Sequence, residues 1–385
     1  MRLKVAVDLL STISAKNQGR GAWVSMLKHY AVMGPQIGFY VFVTPALKEF
    51  YASRLSRFDN IHFIDVSFRG GTIGRLLFQE VSIPRFCRNL SIDIHYTCSP
   101  APVLNRFPSA QVWRITALQF FHFPKQVGNV RAQYHRLTFG SKARNCSAIV
   151  ANSEYTRSEI LRFSNVSPDK VFVIHDSVDH NLFNTEFPLD GCRKYIKNRL
   201  RLELPYILWV SDIRPYKNPI PFLTAFKEVV QKWKLPHRVI MIGNDIFGYR
   251  EEVKKTVVKL GISDRVIFLD GIPRDDLRSF YRCADLFVYP SSLETFGIPP
   301  LEAMACGTPV IASNQSAVPE IVRDAALVID PKNTGIFANA ILTVLTQQSV
   351  RSRLIQMGLR RAQEFSWEKN AQQTIRLFED VVNSG

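Results

Sequence analysis

The sequence lacks the features of a secreted, membrane-spanning or metal-bound protein. Its six cysteines are scattered, without a Cys-x-x-Cys pair or a histidine at ligand spacing, so we expect buried free thiols and neither disulfides nor zinc. A long uncharged stretch, from Ala31 to Leu47, is broken by glycine and proline and does not predict a membrane span. The first ten residues form a strand pattern without an apolar leader, which argues against secretion. We expect a cytoplasmic protein with no cofactor and no metal.

Acidic residues are scarce, above all in the first half of the chain. The formal net charge is +16. Residues 1–185 contain 22 Lys and Arg against 11 Asp and Glu, which leaves +11 there and +5 in the remainder. Such a field attracts nucleic acid, anionic lipid or phosphorylated substrates. Nucleic acid is not expected as a partner, because the arginines are spread among apolar stretches and no binding motif is present.

Three stretches of this basic half interleave cationic and bulky apolar residues: Arg75–Phe78, Ile83–Arg88 and Phe120–Lys125. A surface that contacts an anionic membrane has this composition. An ordinary helix with solvated arginines has it as well. The charge imbalance between the two halves favours a weak peripheral contact with the cytoplasmic membrane face.

Short apolar runs alternate with helix-length segments in two series, which predicts two α/β domains with doubly wound parallel sheets. Ligands bind such sheets at the carboxyl ends of the strands. The domains are predicted at 1–180 and 206–365, with an interdomain linker at 181–205 and a terminal helix at 366–385 that crosses back to the first domain. The predicted strands are Leu3–Val7, Phe39–Val43, Ile61–Val66, Ile92–Tyr96, Val112–Thr116, Ala148–Ala151 and Val171–Ile174, then Tyr206–Val210, Arg238–Ile242, Val266–Leu269, Leu286–Tyr289, Val310–Ala312 and Ala326–Ile329.

The most informative segment is Ser291–Val310, which follows the predicted strand Leu286–Tyr289. Pro299 and Pro300 suit the first turn of a helix, and Gly307 suits its end. A bent loop before a helix start presents backbone N–H groups and favours an anion above the sheet.

Two carboxylates stand seven residues apart in this segment. Glu302, placed in the first helical turn, can accept two hydrogen bonds from a diol such as a ribose. Glu294, in the loop, can bind sugar hydroxyls or balance developing positive charge. The structural alternative is a buried βαβ unit with an incidental proline at the helix start.

The span ETFGIPPLEAMACGTPV, from Glu294 to Val310, resembles the signature of the retaining family 4 glycosyltransferases, also called glycosyl transferases group 1. The resemblance implies the GT-B fold, in which two Rossmann-like domains face each other across a cleft. It implies a nucleotide diphosphate sugar as co-substrate, with the acceptor on the first domain. It further implies that Glu302 holds the ribose, that Glu294 contacts the sugar, and that backbone groups of the stretch Thr295, Phe296, Gly297 and Ile298 bind phosphate.

Three more segments resemble parts of this family's donor site. Lys217 corresponds to a lysine that clamps the diphosphate, while Ser211 and Asp212 occupy the usual Gly-Arg position, so the arginine's role either passes to Arg214 or is lost. Gly271 resembles a glycine turn beside the nucleobase. Gly19 and Gly21 resemble a glycine loop over the substrates, although a plain strand-to-helix turn has the same residue pattern.

The first domain departs from the family at Thr116 and Ala117, where many relatives have His-Asp. We treat Thr116 and His122 as candidate acceptor or sugar contacts, although a histidine between phenylalanines is also typical of a packed structural group. The segment Asn152–Arg157 resembles a helix start capped by Ser and Thr.

The resemblance implies a retaining transferase that moves a hexose of mannose or glucose type onto a hydroxyl of a glycan or a polyprenyl-diphosphate-linked acceptor, in cell-surface polysaccharide synthesis. Glu294 and Lys217 are the candidate catalytic residues. Two alternatives stay open: a catalytically impaired sugar-nucleotide-binding subunit, and a sugar-nucleotide epimerase of the same two-domain form.

Overall fold

A computed structural model describes residues 3–10, 19–98, 107–116, 118–201, 205–245 and 248–384 of the chain. The chain divides into two compact units, one formed by Met1–Asp176 with Trp367–Gly385 and the other by Ser177–Ser366. Each unit contains one parallel sheet between helices, so the α/β prediction with two doubly wound domains is confirmed.

The first unit is built on a seven-stranded parallel sheet in the order β3-β2-β1-β4-β5-β6-β7. Its central strands are almost fully buried, because helices cover the two faces of the sheet, and they are mainly apolar, with His95, Thr97, Gln111 and Arg114 among the buried polar exceptions. The strands are β1 Lys4–Asp8, β2 Gly38–Val43, β3 Ile61–Asp65, β4 Ile94–Thr97, β5 Ala110–Ile115, β6 Ala148–Ala151 and β7 Val171–Val173.

Eight helices of the described residues precede or connect these strands. A π-helical turn, Phe78–Ser82, joins α3 to α4 without a break, so residues 71–89 form one continuous helical run. The helices are α1 Gly19–Met33, α2 Pro45–Leu55, α3 Gly71–Leu77, α4 Ile83–Asn89, α5 Gln119–His122, α6 Pro124–Val127, α7 Asn129–Asn145 and α8 Glu154–Ser164.

The second unit has a six-stranded parallel sheet in the order β10-β9-β8-β11-β12-β13. The strands are β8 Tyr206–Val210, β9 Arg238–Ile242, β10 Val266–Leu269, β11 Leu286–Tyr289, β12 Val310–Ser313 and β13 Leu327–Ile329. The helices are α9 Leu189–Leu200, α10 Pro219–Lys232, α11 Tyr249–Lys259, α12 Arg274–Cys283, α13 Ile298–Ala305, α14 Val318–Val322, α15 Thr334–Thr346 and α16 Gln348–Gln363.

The last helix, α17 Trp367–Asn383, belongs to the first unit. It packs on α1, where the Tyr30 hydroxyl donates to Asn370 Oδ1 over 3.2 Å. Trp367 and Phe378 are buried in the same core as β1 and β2. The first unit is therefore assembled from both ends of the chain.

All thirteen predicted strands are present, with ends shifted by two residues or fewer. The linker predicted at 181–205 is wrong. Helix α9 occupies much of that segment within the second unit, because Cys192 and Ile196 are buried in its core. The polar residues that suggested a linker lie on the exposed side of this helix.

All six cysteines are free thiols, as expected, and five of them are buried. Cys98 is half-buried. Over the described ranges, no helix is both long enough and apolar enough to cross a membrane.

Candidate active site

The order of the second sheet places β8 next to β11, although the chain runs outward from β8 through β9 and β10 before it returns. Such a switch point leaves a crevice outside the carboxyl ends of the two strands, where α/β proteins bind ligands. Segments 211–218 and 290–297 follow these two strands. The predicted donor residues therefore lie on adjacent loops.

Hydrogen bonds join the two loops to each other. Ser292 donates its backbone N–H to the Tyr216 carbonyl over 2.8 Å. The Asn218 amide donates to the Pro290 carbonyl and to Ser292 Oγ, both over 2.7 Å. Asn218 adopts a left-handed backbone with φ of 52°, which asparagine tolerates better than most residues. The relative position of the loops is thus fixed by short, partly buried contacts.

Lys217 and Glu294 form an ion pair across this junction. The Lys217 ammonium donates to Glu294 Oε1, and both side chains are largely buried. The same ammonium lies 5.7 Å from the centre of the Tyr289 ring. Ser316 Oγ accepts from the Glu294 backbone N–H over 2.8 Å, which holds the loop in place. The structure brings together the two residues that were predicted to be catalytic.

Arg214 lies beside a carboxylate that sequence reasoning did not assign to the site. Its Nη2 is 3.6 Å from Asp212 Oδ2. Burial raises the pKa of Asp212, although the charges of Arg214 and Lys217 oppose that shift. The departure from Gly-Arg at Ser211 and Asp212 was the signal that could have identified this residue.

Glu302 lies deeper than predicted, because it is the fifth residue of α13 and not part of its first turn. Arg274 Nη2 donates to its Oε1 over 2.8 Å, and the Tyr281 hydroxyl donates to its Oε2 over 3.0 Å. Burial raises the pKa of Glu302 against the opposing effects of these two donors. Arg274 and Tyr281 were not predicted, since nothing in the pattern of α12 distinguishes them from other polar helix residues.

The loop before α13 adopts a conformation that requires glycine. Gly297 has φ of 113° and stands immediately before the helix. Phe296 is buried and packs edge-on against Phe365 at a ring distance of 5.6 Å, so its side chain serves the core. Thr295 and Ile298 are half-buried on either side. Any contribution of Phe296 to ligand binding must come from its backbone.

Gly271 follows β10 at the same edge of the second sheet. Its N–H donates to Asn244 Oδ1 over 3.4 Å, and Asn244 follows the neighbouring strand β9. A β-carbon at Gly271 would approach this oxygen to 3.1 Å. The glycine therefore allows the turn to lie against the asparagine side chain.

The glycines of the first unit differ from the prediction. Gly19 and Gly21 lie in the first turn of α1 and not in a loop, because the helical spacing of Trp23, Met26 and Leu27 extends back to them. Residues 11–18 and Ala117, which belong to the predicted glycine loop and to the Thr-Ala substitution, lie outside the described residues.

Thr116 and His122, the other candidates of the first unit, have surroundings that differ from each other. Thr116 is exposed after β5. His122 is bonded to Glu159 of α8 and lies edge-on to Phe163, which matches the structural interpretation of this histidine. Ser153 caps α8, since its Oγ accepts from the Thr156 N–H over 3.0 Å.

The first unit has a switch point of its own between β1 and β4, where sequence reasoning proposed the glycines that follow β1 but not Asp8. Asp8, the last residue of β1, is buried there. Gln79 Nε2 donates to Asp8 Oδ2 over 2.7 Å, and Thr97 Oγ1 donates to the same oxygen over 3.4 Å. The feature of the sequence that could have identified Asp8 is its position at the end of the first predicted strand.

The site in the second unit combines side-chain cations, which can orient an anion, with carboxylates. Two cations, Arg214 and Lys217, alternate with two carboxylates, Asp212 and Glu294. Among the described residues, no group of three or more His, Cys, Asp or Glu residues is arranged so that it could hold a metal ion.

Two family models match this chain. The model described as Glycosyltransferase Family 4 matches residues 26–182, and the model described as Glycosyl transferases group 1 matches residues 194–361. The first match includes Thr116 and His122. The second match includes the residues predicted to bind the donor in the second unit.

Curated relatives have glycosyltransferase names. The chain is 30% identical over 262 residues to O-antigen chain mannosyltransferase B of Escherichia coli, covering 68% of each protein. It is 24% identical over 290 residues to D-inositol 3-phosphate glycosyltransferase of Corynebacterium efficiens, covering 71% of this chain and 68% of that protein.

Solved structures share the fold along the whole chain. The Anabaena protein HepE, crystallised with UDP and glucose, superposes with a TM-score of 0.79 at 18% identity, over 98% of this chain and 100% of HepE. WaaG, a glycosyltransferase involved in lipopolysaccharide biosynthesis, superposes with a TM-score of 0.72 at 15% identity, over 97% and 99% of the two chains. At these identities the likeness establishes the fold alone.

Proposed function

This chain belongs to the glycosyl transferases group 1, the glycosyltransferase family 4, and we propose that it transfers a hexose from a nucleotide diphosphate sugar with retention of anomeric configuration. The sugar is of mannose or glucose type. The acceptor is a hydroxyl of a glycan or of an oligosaccharide linked to a polyprenyl diphosphate. The reaction serves cell-surface polysaccharide synthesis on the cytoplasmic side of a membrane, which the protein contacts weakly.

The observation that carries this proposal is the Lys217–Glu294 pair at the β8/β11 switch point. Both groups are desolvated, so an incoming charge interacts with them more strongly than it would in water. A diphosphate attracts Lys217 away from Glu294. The carboxylate is then available to accept hydrogen bonds from sugar hydroxyls.

The charge balance of the site supports this exchange. Arg214 and Lys217 offset Asp212 and Glu294, so the four side chains are neutral overall before a substrate binds. A diphosphate adds negative charge, which the two cations and the backbone N–H groups near Gly297 stabilise. As the glycosidic bond breaks, negative charge grows on the departing diphosphate, and Lys217 is placed to stabilise it more than it stabilises the ground state.

Glu302 supports the nucleotide half of the donor. Arg274 and Tyr281 already fix its carboxylate, so a ribose meets an acceptor that is oriented in advance. Gly271 and Asn244 mark the edge where the base lies. In this proposal the first unit binds the acceptor, at the end of its sheet where Asp8 and Gln79 meet.

The test is a panel of nucleotide sugars measured by thermal shift, because a ligand at one hundred times its dissociation constant adds about 2.7 kcal/mol to stability. The donor found in this way is then incubated with a lipid-linked or glycan acceptor, and the product anomer is identified by NMR. Retention supports the proposal. An inverted glycoside, a free epimer without glycoside, or binding without transfer each contradicts it.

A further inference from the structure

The helical run 71–89 exposes apolar side chains where a helix of a water-soluble unit ordinarily exposes polar ones. Ile73 is 71% exposed, Leu77 61% and Val81 45%. These residues recur at every fourth position, so they form one row along the run. Single exposed aliphatic residues need no explanation, but an aligned row of three indicates a surface that is covered by a partner.

The buried side of the same run is polar over the same turns. Arg75 is 8% exposed and Gln79 is 2% exposed. Gln79 donates to Asp8 at the carboxyl end of β1. In the first turns of the run, the two most buried side chains are therefore polar, while three of the exposed side chains are apolar. Phe78 packs partly buried against the core, and beyond residue 82 the apolar residues Ile83 and Cys87 are fully buried.

The exposed side is also cationic. Arg69 precedes the run, and Arg85 and Arg88 lie near its end, all three exposed. Glu80 is the one acidic residue between 69 and 89, and it is half-buried beside Lys142 of α7, on which it acts electrostatically. An aliphatic row flanked by arginines, without an exposed carboxylate, is complementary to a bilayer surface that contains anionic lipid.

We propose that the run 71–89 docks the protein on an anionic membrane, with Ile73, Leu77 and Val81 inserted at the headgroup boundary and Arg69, Arg85 and Arg88 on lipid phosphates. The proposal rests on the membrane contact proposed above and not on the donor or the chemistry. It also explains the burial of Gln79, because this residue connects the docking helix to the strand end where a lipid-linked acceptor is to be bound. The attraction is reversible, since nothing in the run is long enough to span a bilayer.

The experiment is co-sedimentation of the full chain with vesicles of phosphatidylglycerol and phosphatidylcholine, or of phosphatidylcholine alone, across a salt series. The apolar variant is Ile73→Glu with Leu77→Glu. Its matched control is Val258→Glu with Ile336→Glu, which places the same charge change at two exposed aliphatic positions of the second unit, 69% and 50% exposed. The charge variant is Arg85→Gln with Arg88→Gln.

We expect the unchanged protein to bind anionic vesicles at low salt and to be released towards physiological salt, because the attraction decays within a Debye length. The apolar variant loses about tenfold or more in partition coefficient, whereas its control keeps the binding. The charge variant is expected to bind anionic and neutral vesicles equally. The stabilisation of the protein by the donor nucleotide, measured by thermal shift, is expected to be the same in every variant. A failure of the membrane proposal can therefore be distinguished from a failure of the proposed transfer.

Equal recovery from both kinds of vesicle, or equal losses in the apolar variant and its control, overturns the proposal. A dimer in lipid-free solution that the apolar variant dissociates, together with no vesicle binding, also overturns it and assigns the row to a second copy of the chain. Light scattering on the same samples gives the oligomeric state.

Discussion

The ammonium group of Lys217 is hydrogen-bonded to the carboxylate of Glu294, although 77 residues separate them in the chain. Their loops are held by backbone contacts, so the pair is fixed before any ligand arrives. Lys217 and Glu294 satisfy each other's hydrogen bonding. In the proposed function, a nucleotide sugar must therefore compete with this internal partner for each side chain.

Lys217→Ala is expected to lower kcat more than it raises KM, because charge on the diphosphate grows as the glycosidic bond breaks. Steady-state kinetics measure both constants. Lys254→Ala is the matched control, since Lys254 pairs with Glu251 on the exposed side of α11. A rise in KM alone would make Lys217 a ground-state anchor and remove it from catalysis.

Glu302→Gln is expected to weaken nucleoside diphosphate binding by roughly 1.5–3 kcal/mol for each charge-assisted hydrogen bond lost. The substitution keeps the shape of a side chain that Arg274 and Tyr281 hold in place. Calorimetric titration compares the ribonucleotide with its 2′-deoxy analogue in the original protein and in the variant. If replacing the ribonucleotide by its 2′-deoxy analogue costs the same binding free energy in both proteins, Glu302 does not contact the 2′-hydroxyl.

Transfer is expected to persist in excess chelator, since Arg214, Lys217 and the N-terminus of α13 can neutralise the leaving group. The measurement is the transfer rate after treatment with EDTA, with and without added magnesium or manganese. A rate that disappears with EDTA and returns with the metal contradicts this prediction.

The protein is expected to lose stability as the pH falls from 6.5 towards 4, through His95. Burial lowers the pKa of this histidine from 6.5 to about 4, despite the opposing charge of Asp8. The unfolded chain therefore takes up a proton in this window while the folded chain does not, which favours unfolding by up to about 3 kcal/mol. Above pH 6.5 both forms are neutral and the effect is absent.

Urea unfolding at several pH values measures this effect in the original protein and in His95→Phe. The phenyl ring keeps the stacking on Phe107, whose centre is 4.6 Å from that of the imidazole. His62→Phe is the control, because His62 is an exposed residue on β3 of the same sheet. An equal loss of stability in His95→Phe and in the original protein would contradict the assignment.

The strands could be predicted because a parallel sheet buried on both faces requires continuous apolar runs, as in β8 and β11, and such runs are visible in sequence. Helix α9 was missed because only Cys192 and Ile196 of its residues are buried, so its composition resembles that of a linker. Burial of a few residues against a core is a tertiary property that local composition does not report.

The two candidate loops could be located in the sequence because their residues are contiguous, from Arg214 to Lys217 and from Glu294 to Ile298. The partners of Glu302 could not, because Arg274 and Tyr281 reach it from another helix across the sheet edge. The pattern of exposure along the run 71–89 was also invisible, since sequence shows that Leu77 and Gln79 are near each other but not which one is buried.

The assembly of the first unit from both ends of the chain sets an order in time. The core of that unit includes Trp367, Ala371 and Phe378, which are made after all 190 residues of Ser177–Ser366. At a synthesis rate of about 5–20 residues per second, the sheet of the first unit waits roughly 10–40 seconds for its last helix. During that interval the apolar surface that α17 later covers is open to chaperones and to aggregation, so the yield of folded protein depends on the ribosome as well as on the finished structure.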